Sequence, residues 1–101
     1  MKYFFVEGTF NNPIPIGGVE LDKAMKKHLK YLDTNIKKGK ILFTGPKENN
    51  EGIIMIMKAK SIEDAEKFLN EDSLAILKAQ RYKIKEFKLK SCQPFMESWF
   101  E

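Results

Sequence analysis

Apolar and polar positions alternate and cluster along the chain in a way that marks its elements. Residues 2–10, KYFFVEGTF, are aromatic and β-branched and read as a strand. Residues 11–18, NNPIPIGG, hold two prolines and two glycines and read as a loop. From 21 to 38 the period changes. Leu21, Met25, Leu29, Leu32 and Ile36 recur at spacings of three and four, with lysines largely between them, which predicts a long amphipathic helix. Gly39 ends it after a last turn rich in lysine. Residues 40–46 form a second strand stopped by Gly45-Pro46, 47–51 a polar turn, and 52–59, GIIMIMKA, a third strand. Ser61 then stands as the N-cap of a second helix, with Asp64 at its third position and Ile62, Ala65, Phe68 and Leu69 on one face. Residues 72–79 predict a short helical turn opened by Asp72. Residues 81–91, RYKIKEFKLKS, alternate basic and apolar side chains as a half-exposed strand does.

The order β-α-β-β-α-β is the split β-α-β arrangement, so the expected class is α+β, a single ferredoxin-like domain with both helices on one face of a four-stranded antiparallel sheet. The strands carry more apolar residues than that face can absorb. Tyr3 to Val6, Ile41 to Phe43 and Ile53 to Met57 are apolar at both parities, and successive strand side chains point to opposite faces. Covering the second face is worth about 25 cal/mol per Å² of apolar area. A second copy of the same sheet is the simplest cover, which predicts a homodimer built as an α/β barrel. The tail, residues 91–100, adds Phe95, Met96, Trp99 and Phe100. It is expected to pack on its own domain or to reach across the dimer.

His28 is the only histidine. On a helical wheel with Leu21 at zero and about 100° per residue, Met25, Leu32 and Ile36 fall within roughly 60° on one side and His28 roughly 20° on the other. The ring therefore belongs at the edge of the buried stripe, where it needs a hydrogen-bond partner. The plainer reading is an imidazole satisfied by a backbone carbonyl. The functional reading is a general acid/base oriented by a carboxylate. Asp72 is the candidate carboxylate; its plainer role is the N-cap of the turn that it opens.

Composition narrows the class. In 101 residues, 43% are hydrophobic and 32% charged, the balance of one globular domain and not of a disordered chain. The longest apolar run, Ile53–Met57, is far short of a membrane span, and the first ten residues lack the pattern of a signal peptide, so the expected setting is the cytoplasm without a membrane partner. One cysteine and one histidine cannot build a Cys/His metal site within the chain, and no cofactor is implied. Cys92 reads as an unreactive thiol. The net charge of +4 and the lysine-rich first helix raise nucleic-acid binding as a second class. The third strand has no aromatic on which a base could stack, so the lysines read as a solvated face and no nucleic-acid partner is expected.

The chain resembles the YciI-like family of small dimeric α/β-barrel proteins over residues 2–90. The resemblance rests on the aromatic first strand KYFFVEG, on the histidine in KKHLKYLDTNIKKGKILFTGP and on SIEDAEKFLNEDSLA, which matches the second helix and the Asp-Pro-aromatic motif after it. It implies a histidine–aspartate pair that carries over to His28 and Asp72, and a small-molecule enzyme of lyase, isomerase or dehydrochlorinase type. Ser73 stands where the family has proline and Leu74 where it has an aromatic, which puts the aim of the Asp72 side chain in question. Phe4, Phe5, Tyr31 and Phe43 are the candidates for the apolar wall of a substrate cleft. A metabolite-binding or purely structural homodimer without chemistry is the alternative.

Overall fold

The structure, a computed structural model, describes residues 1–101. Strand β1 (Lys2–Phe10) leads into helix α1 (Gly18–Lys37), strands β2 (Ile41–Pro46) and β3 (Gly52–Ala59), helices α2 (Ile62–Asn70) and α3 (Ser73–Ile76), and strand β4 (Gln80–Phe87); a 3-10 helix (Pro94–Phe100) closes the chain. Helix α1 starts three residues before the apolar repeat, and β4 stops at Phe87, short of the alternating run. The four strands form one antiparallel sheet in the order β2-β3-β1-β4. This is the expected ferredoxin-like arrangement.

Parity decides the core. Phe4 and Val6 of β1, Met55, Met57 and Ala59 of β3 and Ile41 of β2 point under the helices and are buried against Leu32, Ala65, Phe68 and Leu69. Serine at the start of α2 makes the expected cap: Asp64 N donates to Ser61 Oγ at 3.1 Å. Gly39, at φ +81°, turns the chain out of α1 in a conformation that side chains disfavour. A smaller cluster of Ala24, Leu74 and Ala79 joins α1 to α3 and takes Ile14 and Ile16 of the proline-rich loop onto its edge.

The opposite face of the sheet carries Phe5, Phe43, Ile54 and Ile56 in its middle, with Phe5 and Phe43 exposed. A register shift between Ile41 and Phe43 turns Phe43 to this side, beside Ile56. Glu7 and Lys47 pair on it at 2.8 Å, and the hydrogen bond from Lys47 holds the Glu7 carboxyl below the usual carboxylate range. The tail packs on one end of this face. Trp99 Nε1 donates to Gly39 O at 2.8 Å, Lys58 Nζ donates to Trp99 O at 2.6 Å, and the Tyr3 hydroxyl donates to Phe100 O. The rings of Trp99 and Phe100 lie 5.9 and 4.9 Å from that of Tyr3. No helix is long and apolar enough to cross a membrane.

Candidate active site

His28 is not at the edge of the buried stripe of α1 but in the middle of it. The buried positions are Ala24, His28, Leu32 and Asn35, while Leu29 and Ile36 are exposed. The sheet and α3 press against α1 on the side that the wheel assigned to the edge. The imidazole is 2% exposed, and its partner is a side chain rather than a backbone carbonyl. His28 Nδ1 lies 2.8 Å from Asp72 Oδ1, with both side chains buried.

Asp72 comes to this place because α2 ends at Asn70 and α3 starts at Ser73, directly above the sheet and across from α1. Its carboxylate makes no cap bond to the turn it opens. The turn is held by its backbone instead, with Ile76 N donating to Asp72 O at 3.0 Å. Both carboxylate oxygens are used elsewhere: Oδ1 meets His28, and Oδ2 accepts from the Tyr82 hydroxyl of β4 at 2.7 Å. Ser73, in place of the proline of the motif, donates its hydroxyl to Ala24 O at 2.7 Å. Ala24 lies one turn before His28, so α3 is tied to the helix that bears the imidazole.

A carboxylate only accepts hydrogen bonds, so Nδ1 is the nitrogen that carries the proton between the two residues. That leaves Nε2 as the nitrogen on which a second proton would sit. It makes no hydrogen bond within the chain, on a side chain that is 2% exposed. A carboxylate on Nδ1 fixes the tautomer and the orientation of the ring, which is what an acid/base acting through Nε2 requires.

The four apolar wall candidates separate. Tyr31 lies near the pair: its ring stacks on Phe68 at 4.9 Å and its hydroxyl donates to Phe68 O at 2.8 Å. Burial, with Glu71 and Asp72 behind it, pushes the Tyr31 phenol up to about 12. Tyr31 also lines a groove of about 440 Å³ between α1 and α3, with Ala24, Ile76 and Leu77 as its apolar side and Ser73 at one wall. His28 and Asp72 lie beneath this groove and do not line it. Phe4 is wholly buried in the core, and Phe5 and Phe43 lie on the far face of the sheet. Strand parity turns Phe5 and Phe43 away from the pair, which lies on the helix side of the sheet. Tyr82 was not among the sequence candidates. The signal for it was present: a tyrosine at a core-facing strand position needs a partner for its hydroxyl. No three histidine, cysteine, aspartate or glutamate side chains come together as a metal site.

The model of the YCII-related domain matches residues 3–88. The chain belongs to the YCII-related domain family. The matched span carries both members of the pair and Tyr82, and stops before the aromatic tail. Among solved structures the fold is similar to that of 5-chloro-2-hydroxyhydroquinone dehydrochlorinase (TftG) from Burkholderia phenoliruptrix AC1100, in complex with 2,5-dihydroxybenzoquinone. The TM-score is 0.63 at 20% sequence identity, over 85% of this chain and 93% of that one. No curated protein matches the chain.

Proposed function

We propose that this YCII-family chain is a small-molecule enzyme that uses His28 as general acid/base and Asp72 as its orienting carboxylate. The observation that carries the reading is the Asp72 carboxylate itself. It leaves its own helix uncapped and holds a buried imidazole at 2.8 Å. A satisfied core histidine needs only a carbonyl, whereas a carboxylate on Nδ1 makes Nε2 a better base. Nε2 takes a proton from an acidic O–H or C–H of the substrate as a leaving group departs from the adjacent carbon, and the same nitrogen then gives that proton up. The fold neighbour is a dehydrochlorinase crystallised with a dihydroxybenzoquinone, which supports lyase chemistry on a hydroxylated six-membered ring as the first class to assay. The working form is a homodimer whose sheet faces, bearing Phe5, Phe43, Ile54 and Ile56, cover one another.

The test is turnover of chlorinated and chlorine-free hydroxyhydroquinones, followed by ring absorbance and released chloride. His28→Gln and Asp72→Asn are expected to lower the rate by about 10²–10⁴-fold, the usual worth of a positioned acid/base, with circular dichroism unchanged. Turnover that survives His28→Gln would overturn the assignment. A second reading, a ligand-binding homodimer without chemistry, draws on the groove between α1 and α3, which passes the pair without including it. Binding of these compounds without turnover, unaffected by Asp72→Asn, would favour it.

A further inference from the structure

The hydrogen-bond chain does not stop at Asp72. Gln80 Nε2 donates to the Tyr82 hydroxyl at 2.9 Å, and that hydroxyl donates to Asp72 Oδ2 at 2.7 Å. An amide N–H can only donate, so the phenol proton has one place to go, and the sequence of donors runs from Gln80 through Tyr82 to Asp72. Three features show that this run is built into the fold. Gln80 faces the core at 2% exposure with Oε1 unpartnered, a costly choice where a strand would ordinarily place an aliphatic residue. Gly8 faces Tyr82 in the β1–β4 register, and a Cβ on it would come within 3.0 Å of Gln80 Cδ and Tyr82 Cε1, so the missing side chain makes room for both. Burial first, and the charge of Asp72 second, push the Tyr82 phenol far above its ordinary range, so the hydroxyl stays a donor wherever an imidazole titrates.

We infer that Tyr82 is a positioning residue of the His28–Asp72 pair: its phenol, aimed by Gln80, holds Asp72 Oδ2 and draws off part of the carboxylate's charge, and so sets how firmly His28 holds a second proton. A hydrogen bond to an anion weakens that anion's pull on any other proton. With Tyr82 in place, Asp72 fixes the ring's orientation while the phenol takes up part of the carboxylate's charge. The remaining groups around the carboxylate do not offer this. Tyr31 of α1 interacts with it by charge alone and gives its hydroxyl to Phe68 O, Glu71 at the end of α2 is a like charge, and Lys23 and Lys27 of α1 are exposed.

The inference rests on the acid/base reading for its purpose, but its test needs no substrate. The single imidazole is titrated by proton NMR in the wild-type chain and in Tyr82→Phe, Gln80→Leu and Asp72→Asn. In Tyr82→Phe the ring is expected to titrate at higher pH than in the wild type, since the carboxylate has lost its other donor. Gln80→Leu moves the curve the same way by a smaller amount, since the phenol without Gln80 is the weaker donor. Asp72→Asn moves it the opposite way. A folded Tyr82→Phe with the wild-type curve, or one displaced downward, overturns the inference; should that variant not fold, an unmoved curve in Gln80→Leu does so. An upward shift in a chain that turns over no substrate would leave the role of Tyr82 standing and remove the catalytic one.

Discussion

Ser73 Oγ and Ala24 O are joined by a 2.7 Å hydrogen bond that spans from α3 to α1. Each of the two residues stands next to the pair in its own way: Ser73 follows Asp72 in the chain, and Ala24 precedes His28 by one helical turn. The bond therefore sets the distance between the two backbones that present the carboxylate and the imidazole. In the family motif the position of Ser73 is a proline, which stiffens the turn by fixing its own φ. Here a hydroxyl reaches the facing helix and secures the same turn from outside.

That relationship predicts an order of stabilities. Ser73→Ala removes the bond and leaves the Ala24 carbonyl to α1 alone, at a cost of about 0.5–1.5 kcal/mol. For a domain of this size each kcal/mol lowers the melting temperature by roughly 4–8 °C. Ser73→Pro also loses the hydroxyl but restricts the unfolded chain, which returns about 0.4–1 kcal/mol. The backbone accepts it, since Asp72 already sits at φ −66°, ψ 139°, the region a residue before proline prefers. Thermal melts should therefore rank wild type above Ser73→Pro and Ser73→Pro above Ser73→Ala. A Ser73→Ala variant as stable as the wild type would show that the bond does not hold α3.

The fold was legible because its signals are local: the change of period at Leu21, Gly39 after the lysines, Ser61 three residues before Asp64. The pair was legible only in part. Helical spacing put His28 near the core, but which flank of the stripe is covered depends on α3, which is far away in the chain. Asp72 looks like any N-cap, and only the meeting of α3 with β4 shows that its oxygens go elsewhere. The facing of Phe4 and Phe5 was hidden for a different reason. Tyr3-Phe4-Phe5-Val6 is apolar at both parities, so the run itself does not say which ring faces the helices. Tyr82 hid in a strand whose alternation explained it as one more apolar position.

Alkaline pH should loosen the domain. Tyr31 and Tyr82 are held protonated by burial, the first up to about 12 from an ordinary 10.0 and the second further in the same direction. In the unfolded chain both would ionise near pH 10. Their contribution to stability is therefore complete below that pH; that of Tyr31 is lost as pH rises through about 12, and that of Tyr82 at still higher pH. Melting temperatures measured upward from pH 9 should start to fall near 10, and the phenolate absorbance of these two residues should appear with unfolding. A domain that ionises both phenols near pH 10 while still folded would contradict the buried hydrogen bonds of Tyr31 and Tyr82.

The homodimer proposed here rests on the far face of the sheet. Phe43 is 49% exposed and Phe5 38%, with Ile54 and Ile56 between them, and the tail covers the other end of the same face. Light scattering is expected to give about twice the 11.8 kDa of one chain. Phe43→Lys should return the mass to that of one chain. Leu29→Lys, which changes a residue 58% exposed on α1, should leave the dimer intact. A wild-type chain that scatters as a monomer at micromolar concentration would remove the need for a partner sheet.

Gly8 joins the strand pairing to the site and gives a prediction of coupling. It is buried on the helix side of β1, and a Cβ there would lie 3.0 Å from each of Ile53 Cγ1, Gln80 Cδ and Tyr82 Cε1. Three contacts at that distance cannot all relax at once, because Tyr82 is tied to Asp72 and Ile53 is packed in the core. Gly8→Ala should cost about 1–3 kcal/mol, as overpacking of a filled core does, and should displace the His28 ring signals by moving Tyr82. In a Gln80→Ala background one of the three contacts is absent and Tyr82 has room to shift, so the same substitution should cost clearly less. The double-mutant cycle then shows a coupling energy, read from denaturant melts of the four proteins. Equal costs in the two backgrounds would mean that the missing side chain at position 8 protects the pairing of β1 with β3, and that the Gln80–Tyr82 run merely lies beside it.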